Sequence, residues 1–312
     1  MKNFWQKLHK PIYALAPMAG ITDSAFRQVC KSFGVDVVYS EMISATAIVY
    51  DSKKTLELMK FDKKERPYVV QLFGSNPEHF AFATKYITKN IKPDGIDINF
   101  GCPAKKVSKQ GAGAILMDNL ELARLIVEAV INNTNLPVSV KVRSQVGQTT
   151  VLDFLKYLAD LDIKAVMIHG RTVNQGHSGL VDYEIIKKAR KYFKGIILAN
   201  GGVKSVFDAN NLLKKTKADG IGIGQGALGK PWIFKEVKSQ KSVKSKVSRE
   251  EIFKIILKHA KLVNKLKRDQ GIIEMRKHLC WYIAGMDGAK DLREKLVKVK
   301  NLSEIKEILI VK

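Results

Sequence analysis

The stretch GIILANGGVKSVFDANNLLKKTKADGIGIGQGALG, residues 195–229, contains two apolar runs that each end in a glycine-rich turn. The runs 195–200 and 220–224 are short and almost continuously apolar, as in parallel strands that are covered on both faces. Between them, Ser205 stands where a helix N-cap is expected, with Asp208 three residues later. The stretch therefore predicts a strand–helix–strand unit of an α/β protein.

The same alternation extends back towards the N-terminus. Six more apolar runs come earlier in the chain, at residues 12–16, 37–42, 68–73, 95–100, 137–143 and 165–169. Caps mark helix starts between them, with Asn76 before Pro77 and Asp182 before 185–189. Eight strand–helix units in sequence close most simply into a TIM (β/α)8 barrel. A doubly wound open sheet is the alternative, which eight even repeats disfavour.

One of the intervening helices is predicted over residues 119–132, where apolar residues recur at helical spacing. The residues expected to share one face are Leu122, Leu125, Ile126, Ala129 and Val130.

The C-terminal part of the chain has a different pattern. Residues 238–247, KSQKSVKSKV, have no periodic apolar positions and are predicted to be a linker. A helix is then predicted from the capping box of Ser248 and Glu251. Its apolar face would comprise Ile252, Ile255, Ile256, Leu262, Val263 and Leu266, and its basic face Lys254, Lys258, Lys261 and Lys265. We therefore expect a barrel domain over 1–240 and an all-α helical domain over 241–312.

The charge of the chain is unusual. The 54 Lys and Arg residues outnumber the 30 Asp and Glu residues, which gives a net charge of +24. Residues 244–312 alone contain 18 basic and 9 acidic residues. Such a field favours polyanions, and nucleic acid first among them. A solvated lysine face is the alternative explanation, but a C-terminal region that also contains Arg276, Lys277, His278 and Trp281 favours RNA.

The cysteines and the apolar runs indicate the cellular compartment of the protein. Cys30, Cys102 and Cys280 are widely spaced without a C-x-x-C pair, which argues against a disulfide framework and a cysteine zinc site. No run approaches the roughly 18 apolar residues of a membrane helix, and the first ten residues do not resemble a signal peptide. We expect a cytoplasmic, monomeric protein without a metal or membrane partner.

Polar and glycine residues follow every predicted strand, at the end where barrel enzymes place their active sites. The turns of strands seven and eight, at Asn200, Gly201 and Gly202 and at Gly224 and Gln225, stand where this fold commonly binds a phosphate through backbone N–H groups. Residues 224–229 also match G-x-G-x-x-G. No strand follows them, which disfavours a Rossmann fingerprint.

Three further side chains are candidates for chemistry. Lys141 and His169 end strands five and six and suit the electron-rich pyrimidine edge of a reduced flavin. The alternative is a phosphate-binding lysine and a packed histidine. Cys102, between a glycine and a proline after strand four, is either a proton donor or nucleophile or an inert thiol.

These residues lie in motifs that resemble the tRNA-dihydrouridine synthase family, in particular its bacterial type B branch. The matching stretches follow the family order along nearly the whole chain: APMAGITDSAFR (16–27), SEM (40–42), QLFG (71–74), IDINFGCPAKKV (96–107), VKVR (140–143), HGRT (169–172), ILANGGV (197–203), DGIGIGQGALGKPWIF (219–234) and MRKHLCWYIAG (275–285). The combination of GCPAKKV, HGRT and MRKH is the specific part of this resemblance.

The resemblance implies a barrel that holds FMN, a helical tRNA-binding domain and reduction of the C5–C6 bond of particular uridines, with NADPH as reductant. It implies flavin contacts from Pro17, Met18, Ala19, Gln71, Lys141 and His169, and phosphate contacts from Asn200, Gly201, Gly202, Gly224 and Gln225. Cys102 would protonate C5 of the uracil while hydride reaches C6 from the flavin N5. Asn99 and Arg171 would hold the base or nearby RNA, and Arg276, Lys277 and His278 would contact tRNA.

Two positions depart from the family pattern. Gln225 replaces a usual arginine, so the backbone must carry more of the phosphate binding, and His177 replaces a usual aromatic residue near the expected RNA. Two other functions stay open as alternatives. One is an FMN enzyme of the dihydroorotate dehydrogenase kind that acts on a free pyrimidine, which leaves the basic C-terminal helices unexplained. The other is a non-catalytic RNA-binding protein, which leaves Cys102, Lys141 and His169 unexplained.

Overall fold

Eight parallel strands close into a barrel in the computed structural model, which describes residues 3–239 and 247–310. Strands β1 to β8 span Ile12–Leu15, Val37–Ser44, Tyr68–Phe73, Gly95–Phe100, Val138–Arg143, Ile163–His169, Ile196–Asn200 and Gly220–Ile223. Because β1 pairs with both β2 and β8, the barrel sheet has no free edge. The predicted TIM-type barrel is confirmed, and a doubly wound open sheet is excluded.

Helices surround the barrel. Helices α1 to α10 span Ser24–Lys31, Ala45–Val49, Lys53–Leu58, Pro77–Tyr86, Lys105–Ser108, Leu120–Ile131, Val151–Tyr157, Tyr183–Ala189, Val206–Thr216 and Ile233–Ser239. The predicted caps at Asn76, Asp182 and Ser205 are confirmed, since each side chain accepts a backbone N–H bond from the first turn of its helix. A short hairpin of Gln145–Val146 and Thr149–Thr150 follows β5.

The predicted buried face of α6 is partly wrong. Ile126 and Val130 are buried as expected, but Leu125 is 48% exposed. The other buried residues of this helix are Ala123 and Val127. The sequence LELARLIVEAVI is apolar on more than one side, so packing against α4 and the barrel, and not periodicity alone, selects the buried side.

One end of the barrel is closed by packing. Trp5, from the 3₁₀ turn Phe4–Lys7, is 1% exposed and packs in a cluster with inward-facing residues of several strands. These residues include Ile12, Val37, Ala165 and Met167. Since this end is filled with apolar side chains, the interior of the barrel is closed there.

The C-terminal region is all-α in the residues described. Helices α11 to α13 span Arg249–Tyr282, Ala289–Leu296 and Leu302–Ile310. The capping box of Ser248 and Glu251 is confirmed. The four lysines of the predicted basic face are all exposed. Leu266, predicted on the apolar face, is 48% exposed; it lies two residues before the kink at Arg268, whose φ is +53°.

The helical region packs on the barrel through α1. Ala25 of α1 belongs to the same apolar cluster as Ile256 and Ile272 of α11. At the kink, Lys267 lies 2.9 Å from Asp23 and 2.9 Å from Glu274. Burial alone would raise the pKa of Asp23, but the charge of Lys267 and neighbouring groups hold it at about 2. The contact is therefore an ion pair across the two regions.

The first two residues of the predicted linker are helical. Lys238 and Ser239 still belong to α10, and Lys238 forms an ion pair with Asp36. Residues 240–246, and with them the predicted domain boundary, lie outside the described residues. Within the ranges 3–239 and 247–310, no helix combines the length and apolar content that a bilayer crossing needs.

Candidate active site

A belt of polar side chains runs around the carboxyl ends of β4 to β7. In the strand register, Asn99 is level with Lys141, Arg143 with His169, and His169 with Asn200. Side chains alternate between the two faces of a strand, so Lys141 and Arg143 point to the same side of β5. The sequence therefore brings residues that are far apart in the chain to one end of the barrel.

A cavity of about 520 Å³ opens at this end. This volume lies within the range typical of small-molecule sites. The cavity lining includes every cofactor residue expected from the sequence: Pro17, Met18, Ala19, Gln71, Lys141, His169, Asn200, Gly201, Gly202, Gly224 and Gln225. Cys102, Asn99 and Arg171 line it as well.

The cavity is electropositive. Lys141, Arg143, Arg171 and Lys204 line it, whereas none of the described residues that line it is an aspartate or a glutamate. Cations that are gathered in a low-dielectric cleft repel each other, and a bound anion offsets this repulsion. The composition of the lining therefore fits an anionic organic ligand.

The pKa values of the lining residues reflect this crowding. Burial, and then the charge of Arg143, lower the pKa of Lys141 to about 8. Burial and the charge of Lys141 lower the pKa of His169 to about 2, so its imidazole is neutral at pH 7. The guanidinium of Arg171, 3.4 Å from Nε2 of His169, can only donate, so Nε2 accepts and Nδ1 carries the proton. Perturbed titrating groups in a cleft are typical of active sites.

Buried beneath this layer is Asp97, which the sequence analysis did not single out. Its carboxylate accepts bonds from Ser139 Oγ at 2.5 Å and from Gln71 Nε2 at 2.7 Å. Burial raises its pKa to about 6. A charged residue inside the apolar run 95–100, two positions before Asn99, was a usable signal, since both side chains face the barrel interior.

The glycine-rich turns bring backbone close to other groups. Gly201 has a φ of +120°, and a Cβ there would lie 2.9 Å from Cδ2 of His169. A Cβ on Gly226 would lie 2.0 Å from the carbonyl oxygen of Val203, so the two turns touch through their backbones. Two adjacent turns with exposed N–H groups suit a phosphate. The side chain of Gln225 adds no charge.

Gly229, the last glycine of 224–229, has a structural role that differs from that of Gly226. A Cβ there would lie 2.2 Å from the carbonyl oxygen of Trp281 in α11. This glycine therefore lets the helical region approach the barrel. The arrangement supports a barrel phosphate site over a Rossmann fingerprint.

The loop that carries Cys102 is fixed at its backbone. The side-chain oxygen of Asn99 accepts the N–H groups of Gly101 at 3.0 Å and Cys102 at 2.9 Å. The carbonyl oxygen of Cys102 accepts the N–H of Ala114 at 3.0 Å. The thiol side chain, half-buried, lines the cavity. Since Asn99 also donates to Gln71 at 2.8 Å, it organises this loop.

Arg143 is a site residue that sequence reasoning noted at a strand end without giving it a role. It is 2% exposed and donates to the carbonyl oxygens of Gly101 at 3.2 Å, Thr172 at 3.1 Å and Gly176 at 2.5 Å. These acceptors belong to the loops after β4 and β6. Arg143 therefore connects the Cys102 loop with the loop of Arg171 and His177.

The three basic residues predicted to contact tRNA occupy different environments. Arg276 donates to the carbonyl oxygens of Val299 and Lys298, at 2.9 and 3.1 Å. Lys277 is exposed, and its ammonium donates to the carbonyl of Gly20. His278 is 4% exposed and its ring lies 5.0 Å from that of Phe26, so it packs between α1 and α11 and does not reach the surface.

The fold and the site together define a TIM-barrel enzyme with an electropositive cavity for an anionic ligand. Comparison with known proteins identifies the family within this class. The profile of the family described as Dihydrouridine synthase (Dus) matches residues 14–311. The chain therefore belongs to the dihydrouridine synthase family, a family of oxidoreductases, and the resemblance found in its motifs is confirmed.

Relatives cover most of the chain. It is 33% identical to a probable tRNA-dihydrouridine synthase of Aquifex aeolicus over 93% of this chain and 92% of that one. It is 34% identical to tRNA-dihydrouridine synthase B of Shewanella oneidensis, over 86% and 85% of the two chains. Among solved structures, an old yellow enzyme homologue of Zymomonas mobilis is similar in fold, with a TM-score of 0.55 and 12% identity over 80% of this chain and 96% of that one.

Proposed function

We propose that this protein reduces uridines in tRNA to 5,6-dihydrouridine, with bound FMN and with NADPH as the source of electrons. The observation that carries the proposal is the juxtaposition in one cavity of the Cys102 thiol, the Lys141–His169 pair and the two glycine turns. The family profile and the names of the relatives, tRNA-dihydrouridine synthases, support the same reaction.

The residues present fit FMN. Its phosphate is a dianion, which suits the turns at Gly201–Gly202 and Gly224–Gly226 and a lining without carboxylates. Gly201 leaves no room for a Cβ beside His169, so the backbone of Gly201 lies directly against the imidazole ring. Lys141, cationic below about pH 8, and the neutral N–H of His169 would face the pyrimidine end of the ring system and stabilise negative charge there.

When bound and reduced by NADPH, FMN would supply the hydride that adds to C6 of the uracil, and the flavin would be left oxidised. The chain must then deliver a proton to C5, and the Cys102 thiol is the acid that lines the cavity for this step. The C5–C6 double bond becomes a single bond, the thiol becomes a thiolate, and water restores its proton. Asn99 and Ala114 hold the backbone of Cys102 on both sides, so the thiol keeps its place through the reaction.

RNA is the proposed substrate because of charge outside the cavity. The net charge of +24 and the exposed lysine face of α11 favour a polyanion. A uridine within folded RNA has to leave its stack to enter the barrel, and phosphate contacts elsewhere would supply that free energy. Arg171, at the cavity mouth, is the side chain we propose for the flipped nucleotide.

Replacement of the thiol tests the proposal. We expect Cys102→Ala to retain flavin absorbance and tRNA affinity and to lower the rate of uridine reduction by about 10²- to 10⁴-fold. The matched control is Cys280→Ala, a half-buried cysteine of α11 that does not line the cavity, which should leave the rate unchanged. The measurement is single-turnover oxidation of the reduced enzyme by unmodified tRNA.

Three results would contradict the proposal. A purified protein that binds no flavin would favour a non-catalytic RNA-binding role. Turnover of dihydroorotate or free uracil at the rate of tRNA would favour an enzyme of free pyrimidines. An unchanged rate in Cys102→Ala would remove the thiol from the chemistry.

A further inference from the structure

One wall of the cavity is the turn 18–22, which follows β1. Met18 and Ala19 line the cavity. The turn is closed internally, because the N–H groups of Ile21 and Thr22 donate to the carbonyl of Met18 at 3.1 and 3.0 Å. The side-chain oxygen of Thr22 accepts the N–H of Met18 at 3.1 Å in return. These bonds fix the conformation of the turn, whereas its position beside the cavity depends on what holds it from outside.

Gly20, at the tip of the turn, is held from two sides by charged groups. Its N–H donates to the carboxylate of Glu41, which lies in β2 and is 8% exposed. Its carbonyl accepts from the ammonium of Lys277, which belongs to α11. Hydrogen bonds in which one partner is charged are stronger than neutral ones. Gly20, whose φ is +72°, thus joins the barrel to the helical region through a single peptide unit on each side.

The same turn of α11 also forms part of the cavity. Trp281 lies four residues after Lys277, so the two side chains project from one face of the helix. Trp281 lines the cavity, and its backbone carbonyl lies against Gly229. The helical region therefore touches the site at two places, through a side chain in the wall and through a lysine on the turn beside it.

We propose that Lys277 is a positioning residue that sets the wall 18–22 of the cofactor cavity through Gly20, and that the helical region thereby controls the cavity as well as the approach of RNA. Its effect on FMN rests on the proposed function; its effect on the turn does not. The competing assignment is a phosphate contact with tRNA, as predicted from the sequence for MRKH. The two assignments differ in which ligand a substitution weakens.

The experiment compares Lys277→Met with Lys277→Arg and with Lys290→Met, an exposed lysine of α12 whose loss removes the same charge. FMN affinity of the apo protein is measured by fluorescence quenching without RNA. We expect Lys277→Met to bind FMN about tenfold more weakly than Lys290→Met and to shift the visible spectrum of the bound flavin. Lys277→Arg should restore most of the affinity, because it can still donate to Gly20.

Two further measurements separate the roles. Hydrogen exchange of peptides covering 18–22 in the apo protein should become faster in Lys277→Met and stay unchanged in Lys290→Met, whether or not FMN binds. The affinity for tRNA and its salt dependence should match those of Lys290→Met. Glu41→Gln, on the other side of Gly20, should weaken FMN binding in the same direction.

The opposite pattern would overturn the inference. Unchanged exchange at 18–22 would show that Lys277 does not hold the turn. FMN affinity equal to that of Lys290→Met, together with a salt slope for tRNA binding reduced by about one, would show that Lys277 is a phosphate contact. Absence of FMN binding in the wild type would refute the proposed function instead, and the exchange data would still decide whether Lys277 holds the turn.

Discussion

Lys141 should destabilise the folded apo protein, and removing its charge should stabilise it. Burial and Arg143 lower its pKa from 10.5 to about 8, and a tenfold change in proton affinity corresponds to about 1.4 kcal/mol. A protonated Lys141 therefore costs roughly 3 kcal/mol of folding free energy at pH 7. Lys141 also lowers the pKa of Asp97, a benefit that is lost with the charge. We expect a net gain of about 1–3 kcal/mol for Lys141→Met.

The pH dependence of this gain has a definite sign. Below pH 8 the lysine is protonated in both the folded and the unfolded chain, so the folded protein bears the full cost of this partly buried charge. Between about pH 8 and 10.5 the folded side chain loses its proton first, and the cost disappears. The stability of the variant should therefore exceed that of the wild type most below pH 8, and the two should converge towards pH 10.5.

Urea unfolding of the apo proteins across this pH range measures the effect, with the exposed Lys261→Met as the control for loss of charge alone. The same Lys141→Met protein should bind FMN more weakly, since the cation that we propose for the pyrimidine end is gone. A variant that is less stable than the wild type at pH 7, or a difference that does not change with pH, would refute the reasoning.

Two further perturbations test the proposed phosphate turn and the basic face of α11. Gly201→Ala should destabilise the protein by roughly 1–3 kcal/mol and release flavin, because its Cβ would collide with His169; Gly176→Ala, which also has a positive φ but open space around it, should retain flavin, and equal loss in both would disprove the collision. Neutralising the lysine face of α11 should weaken tRNA binding and reduce its salt slope by about three to four, measured by filter binding. An equal effect from four exposed lysines at the far end of the barrel would show that only net charge matters. The first set is Lys254, Lys258, Lys261 and Lys265, and the control set is Lys187, Lys188, Lys191 and Lys194.

The strand pattern and the residues after each strand could be predicted from the sequence, because a parallel barrel imposes both. Each strand is buried on two sides and therefore apolar, and each carboxyl end faces the same opening. This is why Cys102, Lys141 and His169, distant in the chain, line one cavity as expected. The family motifs added the assignment of each position to a ligand.

Tertiary neighbours were the part that periodicity could not supply. His278 follows the charged residues Arg276 and Lys277 in MRKH, yet Phe26 and His259 enclose it. The kink at Arg268 is caused by no proline, and so α11 is not one straight amphipathic helix. The guanidinium of Arg143 donates to three carbonyl oxygens, and backbone acceptors leave no trace in the sequence.

Arg143 also has a consequence for how the mouth of the barrel can move. Its three acceptors come from two loops, at Gly101 on one side and at Thr172 and Gly176 on the other. If either loop swung outward alone, a buried guanidinium N–H would lose its acceptor, at a cost of about 1–3 kcal/mol. The two loops should therefore move as one unit, so that an outward shift of the Arg171 side also shifts the loop that carries Cys102.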